Sequence, residues 1–223
     1  MEKQIDAEIL ALENIVALDE VCKLVSDEIA VNILTALDEY IEQKIEACEG
    51  YDGTYLFHEE CEKDATWFTP ENWLVKDDEG NIGFQFFYCS LRERSTANPE
   101  DYNSFYVTSL IGSGAQKMCF EVTIDHSYFP GLGRRRCRAF IQNIFQQDNH
   151  LTGQGVEYDS ADSGVIRIPF FVDLKSLINA YREEDFTEAF APVGKAIEKS
   201  MEVMKMFSAP LEELKTNYPQ PED

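Results

Sequence analysis

Long apolar runs are missing from this sequence. No stretch approaches the roughly 18 residues that would span a bilayer, so no helical membrane span is expected. Its opening residues, MEKQIDAEIL, are acidic and amphipathic, without the basic and then continuously apolar order of a secretory signal, so the expected location is cytoplasmic. Positive charge is scarce too: 19 Lys and Arg stand against 42 Asp and Glu, a net charge of −23. Phosphate backbones and anionic lipid surfaces repel such a chain, so direct nucleic-acid binding and membrane binding are not expected. The six cysteines fall singly at 22, 48, 61, 89, 119 and 137 with no CxxC pair, which argues against a disulfide framework and for reduced thiols.

Recognisable reaction chemistry is thin as well. The three histidines, His58, His126 and His150, have no motif neighbour that marks a base, and there is no GxSxG elbow. Gly112-Ser113-Gly114 and Gly131-Leu132-Gly133 lack the full phosphate-cradling spacing, and read as turns. Two loose sets of metal-type side chains occur, Cys48, His58 and Cys61, then Cys119, His126 and Cys137. Neither has the paired short spacing of a zinc motif, so no metal and no cofactor is expected.

What the sequence does have is enough apolar material to fold: 44 % hydrophobic and 12 % aromatic residues in 223. Residues 4–25 carry Ile5, Ile9, Leu12 and Val16, then Leu24 and Val25, at helical spacing. Ser26 and Asp27 offer an N-cap for a second helix whose stripe is Ile29, Ile33, Leu37, Tyr40, Ile41, Ile45 and Cys48, with Gly50 at its end. Each stripe has to be covered, by the sheet, by the other helix or by a second protein. From Tyr51 the texture changes, with 13 of the 27 aromatics between Tyr51 and Tyr106, interleaved with turn signals.

Strands are expected at 55–58, 73–75, 104–111, 117–125 and 165–172. A central strand is expected at 81–91, where Ile82, Phe84, Phe86 and Tyr88 alternate with Phe87, Cys89 and Leu91. Loops are expected at 127–133 and 153–164, and helices over 139–147, after Asp173, and from Pro192 to Phe207. The expected fold is one α+β domain over 1–210. A helical arm (1–50) leads into a mainly antiparallel sheet (51–172) and closing helices (173–210), before a frayed acidic tail (211–223).

Charge is distributed unevenly. The first hundred residues carry −17 of the −23, whereas 101–150 is +1 and holds the basic cluster Arg134, Arg135, Arg136 and Arg138. The expected function is a non-catalytic acidic protein-binding module, of the inhibitor or immunity type that neutralises a basic, nucleic-acid-processing partner by charge mimicry. A charge of −23 equals the phosphate charge on roughly 39 Å of B-DNA. Candidate partner-binding residues are Glu13, Asp19, Glu20 and Glu42 on the arm, and Arg134, Arg135 and Arg136 in the cluster; the oligomeric state is left open.

The alternative is catalytic. Asp162, followed by Asp173-Leu174-Lys175, resembles the PD-(D/E)xK nucleases, and that resemblance implies two acids holding a divalent cation and a lysine positioning water. Three of the 11 lysines have an acid two residues earlier, where about two are expected by chance at this acidity. The pattern is therefore background, and Asp173 has a simpler expected role as a helix N-cap.

Overall fold

The computed structural model describes residues 2–57, 66–76, 80, 82–84, 86–95, 102–147, 155–159 and 164–219. Their architecture is α+β, a six-stranded antiparallel sheet with helices from both ends of the sequence. The strands β1 (Tyr51–Tyr55), β2 (Thr66–Pro70), β5 (Phe87–Ser95), β6 (Gln116–Ile124), β7 (Glu157–Asp159) and β8 (Val165–Pro169) stand in the order β1-β2-β5-β6-β8-β7. Between β2 and β5 a small antiparallel pair forms from β3 (Leu74–Lys76) and β4 (Ile82–Phe84).

Register decides which side chains face the core. Leu91 pairs with Phe120 and Cys89 with Val122, and from β8 Ile168 and Ile166 join the same two rows. Because directly opposed residues share a face, these side chains form one apolar surface. Helix α7 (Ala191–Asn217) lies across β5, β6 and β8, and α3 (Ala30–Glu46) covers β1 and packs on α7. Ile33, Leu37, Ile41 and Ile45 fall four residues apart on α3 and are buried, and Val193, Ile197, Met204 and Phe207, at steps of four, seven and three, are buried on α7.

The amino-terminal segment is one bent arm. Helix α1 (Glu2–Glu13) breaks at Asn14 and resumes as α2 (Ile15–Leu24), then runs through a π-helical turn, Val25–Ile29, directly into α3. At the break the Asn14 side chain donates to the Leu10 carbonyl at 2.8 Å, satisfying one carbonyl at the end of α1. The expected N-cap at Ser26 and Asp27 is thus corrected. From Val25 to Ile45 the apolar positions recur every fourth residue, wider than the α-helical 3.6, and the π turn absorbs part of that drift without ending the helix.

Several expected elements are corrected. The expected strand 81–91 is two strands in different sheets, although its second part, β5, is central as anticipated, between β2 and β6. Residues 104–111 hold a short helix, α4 (Tyr106–Leu110). Leu110 and Ser109 face the protein interior, with the Ser109 hydroxyl donating to Glu93. The amide of Asn103 holds the ends of this segment together, donating to Ser109 and to the Ser113 and Gln116 carbonyls while accepting from Ala115 N–H. Tertiary contacts there override a β-like composition. Helix α5 (Gly133–Gln147) begins six residues before the expected 139, and α7 continues past Phe207 to bury Leu211 and Leu214. Residues 211–217 are therefore helical, and not the start of a frayed tail. No helix among the described residues is long and apolar enough to cross a membrane.

Candidate functional site

The arm acids are presented to solvent. Glu13, Asp19 and Glu20 are exposed on α1 and α2, and Glu42 is exposed on α3. Asp19 pairs with Lys23 at 2.7 Å, one turn on, and with both side chains about two-thirds exposed this pair contributes little to stability. No residue of α2 is buried, and neither is any of residues 5–13 of α1. Their apolar residues are therefore exposed along with the acids: Leu12 and Val16 are 70 % accessible. In water an isolated helix of this length is marginal, and most apolar stripes of this kind are covered in a folded protein.

The basic cluster sits elsewhere. Asp125 opens the segment, its carboxylate accepting from Ser127 N–H at 2.8 Å, and Phe129 and Leu132 are buried, so the expected exposed loop is pinned at two points. Gly133 starts α5, which places Arg134, Arg135 and Arg136 in its first turn, all exposed, with Cys137 buried beneath them. Three guanidiniums at the positive end of a helix dipole repel it, and such a surface favours an anion. Arg134, Arg135 and Arg138 line a cleft with Tyr158, whose hydroxyl donates to the Arg138 carbonyl at 3.2 Å. Among the described residues no ion pair joins Arg134, Arg135 or Arg136 to an acid of the chain. Arm and cluster stand on different elements, α1 to α3 and α5.

The nuclease-like residues are accounted for differently. Asp173 caps α6 (Leu174–Glu183), its carboxylate accepting from Ser176 N–H at 2.9 Å and from the Ser176 hydroxyl at 3.1 Å. These bonds hold its carboxyl below the ordinary aspartate value. Lys175 is exposed on the first turn, and Asp162 lies outside the described residues. Of the loose metal sets, His58 and Cys61 also lie outside the described residues. Cys119 and Cys137 are buried, and burial pushes their thiols up, to about 12 and about 11. Among the described residues no cluster of three or more His, Cys, Asp or Glu is arranged to hold a metal.

One buried charged constellation escaped sequence reasoning. On the sheet face opposite the core, Glu121 accepts from Arg94 through both oxygens, at 2.7 and 2.8 Å, and from Arg167 Nε at 2.7 Å; Arg167 also reaches Asp159 at 2.5 Å. Glu121 is 2 % exposed. Burial alone would raise its carboxyl, but the two arginines outweigh it and hold the group below the ordinary glutamate value. The only available signal was alternation within β6 and β8, where Glu121 and Arg167 interrupt apolar strands at positions that share a face. Three guanidinium N–H groups occupy three of the roughly four lone-pair positions of this carboxylate and tie it to both neighbouring strands.

Comparison with known proteins finds no matching family model, no matching curated protein and no matching solved structure.

Proposed function

We propose that this chain is a non-catalytic, cytoplasmic protein-binding module that engages a basic partner through its acidic amino-terminal arm. The observation that carries the proposal is the state of α1 and α2: some twenty residues of amphipathic helix whose acids and apolar residues are both exposed. Helices that serve only the fold bury their apolar stripe, as α3 does one turn further on. Acids flanking that stripe give the arm a sign, and a basic protein surface is the complement that the sign selects. An inhibitor or immunity-type role follows where the partner's basic surface is the one it uses for nucleic acid, because the arm then competes for the same charge.

Affinity capture from the host extract tests this, with wild-type protein and a variant carrying Glu13→Lys, Asp19→Lys, Glu20→Lys and Glu42→Lys as baits. A basic protein retained by the wild type and released by the variant is the expected outcome. Equal retention by both baits would sink the arm as the contact surface.

A further inference from the structure

We infer that the arm is the docking surface for a cationic amphipathic helix of the partner, lying along the exposed apolar residues of α1 and α2 with its basic side chains on the flanking acids. The inference rests on the proposed binding role and adds the shape and chemistry of what binds.

Exposure comes first. Ile5, Ile9 and Leu12 on α1, and Val16, Leu18 and Val21 on α2, are between 44 % and 70 % exposed, and Leu10, Ile15 and Leu24 add to them. On α1 Ile5, Ile9 and Leu12 recur at spacings of four and three, and on α2 Ile15, Leu18 and Val21 recur at three, each set one face of its own helix and of the kind a second helix covers by ridges-into-grooves packing.

Charge then selects the occupant. Between Glu2 and Ile29 the chain carries eight carboxylates and two lysines. A second copy of the arm would set two such surfaces against each other, and like charges brought together oppose association. A helix with lysines or arginines beside its apolar face removes that repulsion and gains from it. A second exposed apolar group extends the surface: Phe171, and Leu174, Ile178 and Tyr181 at helical spacing on α6. The Asn32 amide donates to the Tyr181 hydroxyl at 3.3 Å, so this stripe ends against the root of the arm. At its end α6 carries Glu183, which lines a cleft with Asp185 and Glu188, so acids rim this part of the surface as well.

The test uses synthetic peptides of about twenty residues, roughly five helical turns. One has leucines on one helical face and lysines on the other, and a scrambled isomer has the same composition. Anisotropy titrations compare wild type, Ile9→Asp with Leu12→Asp, Leu18→Asp with Val21→Asp, and Leu56→Asp as an exposed apolar control outside α1 and α2. Expected are binding of the amphipathic peptide, roughly tenfold or greater loss in both arm variants, none in the control, and weak binding of the scrambled isomer. The substituted arm residues are all exposed, so unchanged melting temperatures are expected and folding does not confound the result. If both peptides bind wild type and variants alike, charge alone is recognised: the inference falls and the broader binding role stands. If neither peptide binds even at low salt, both fall. If light scattering shows a dimer that the arm variants split, a second copy is the occupant and the inference is overturned.

Discussion

Glu121 on β6 and Arg167 on β8 stand directly opposite each other, and the guanidinium Nε donates to the carboxylate Oε1 at 2.7 Å. With Arg94 donating from β5, one carboxylate ties three adjacent strands together on the face away from the helices. Glu121→Leu leaves two guanidiniums without their shared partner and should destabilise the protein by about 2 to 4 kcal/mol in denaturant melts. That is below the figure for a fully buried pair, because Arg94 is 42 % exposed. A loss under about 0.5 kcal/mol would show the network to be ornamental to the sheet.

The same network sets a pH dependence. The folded Glu121 carboxyl lies below its unfolded value, so its contribution is present above the unfolded pKa of about 4.3 and is lost as pH falls through the lower, folded value. Glu93 acts in the opposite direction. Burial raises its carboxyl against the lowering bond from Ser109, so its protonated form favours the fold below the unfolded value and that contribution disappears as pH rises through the folded one. Melting temperatures between pH 3 and 7 should fall less steeply on acidification for Glu121→Gln than for wild type. Parallel curves would contradict the assignment.

Phe86 lies just ahead of β5 and is fully buried, stacked on Tyr128 at 3.9 Å between ring centroids and edge-on to Trp73 and Phe129. It joins the segment before α5 to the sheet. Phe86→Ala should cost about 3 to 5 kcal/mol, and should loosen the arginine cluster's anchorage as well. Faster amide exchange in residues 126–138 of the variant is the accompanying sign, and its absence would separate the cluster from this aromatic group.

Asp173 is a helix cap in the structure, so Asp173→Ala should cost about 1 kcal/mol of stability, and Lys175→Ala should cost almost nothing. Incubation of the wild type with DNA and RNA in the presence of Mg²⁺ or Mn²⁺ should give no cleavage. Cleavage abolished by Lys175→Ala would promote the nuclease reading over the binding one.

Much of this was legible in the sequence where period and burial coincide. The stripe Ile33, Leu37, Ile41 and Ile45, the strand Gln116–Ile124 and the cap at Asp173 all emerge from local pattern. Elsewhere the determining contact lies far along the chain. Thr66–Pro70 is buried at every position and shows no alternation, because β1 and β5 flank it and both its faces are covered, with the Thr69 hydroxyl donating to the Phe87 carbonyl at 2.6 Å. Residues 104–111 resemble a strand in composition and become helix through the Asn103 bonds and the burial of Leu110. The arm's acids were legible as candidates from charge alone. That its apolar residues stay exposed depends on where α3 meets the sheet, which no local pattern encodes.

The most direct test of the arm as the binding surface is the association rate with the captured partner as a function of salt. Between 0.01 M and 0.15 M ionic strength the Debye length falls from about 30 Å to about 8 Å, so charge-steered association slows steeply. Wild type should show that slope. The variant with Glu13, Asp19, Glu20 and Glu42 changed to Lys should associate more slowly at low salt and with a flatter slope, at an unchanged melting temperature, since these groups are exposed. Arm reversals that leave the rate unchanged, while alanines at Arg134, Arg135, Arg136 and Arg138 abolish binding, would contradict it and move the functional surface to the start of α5.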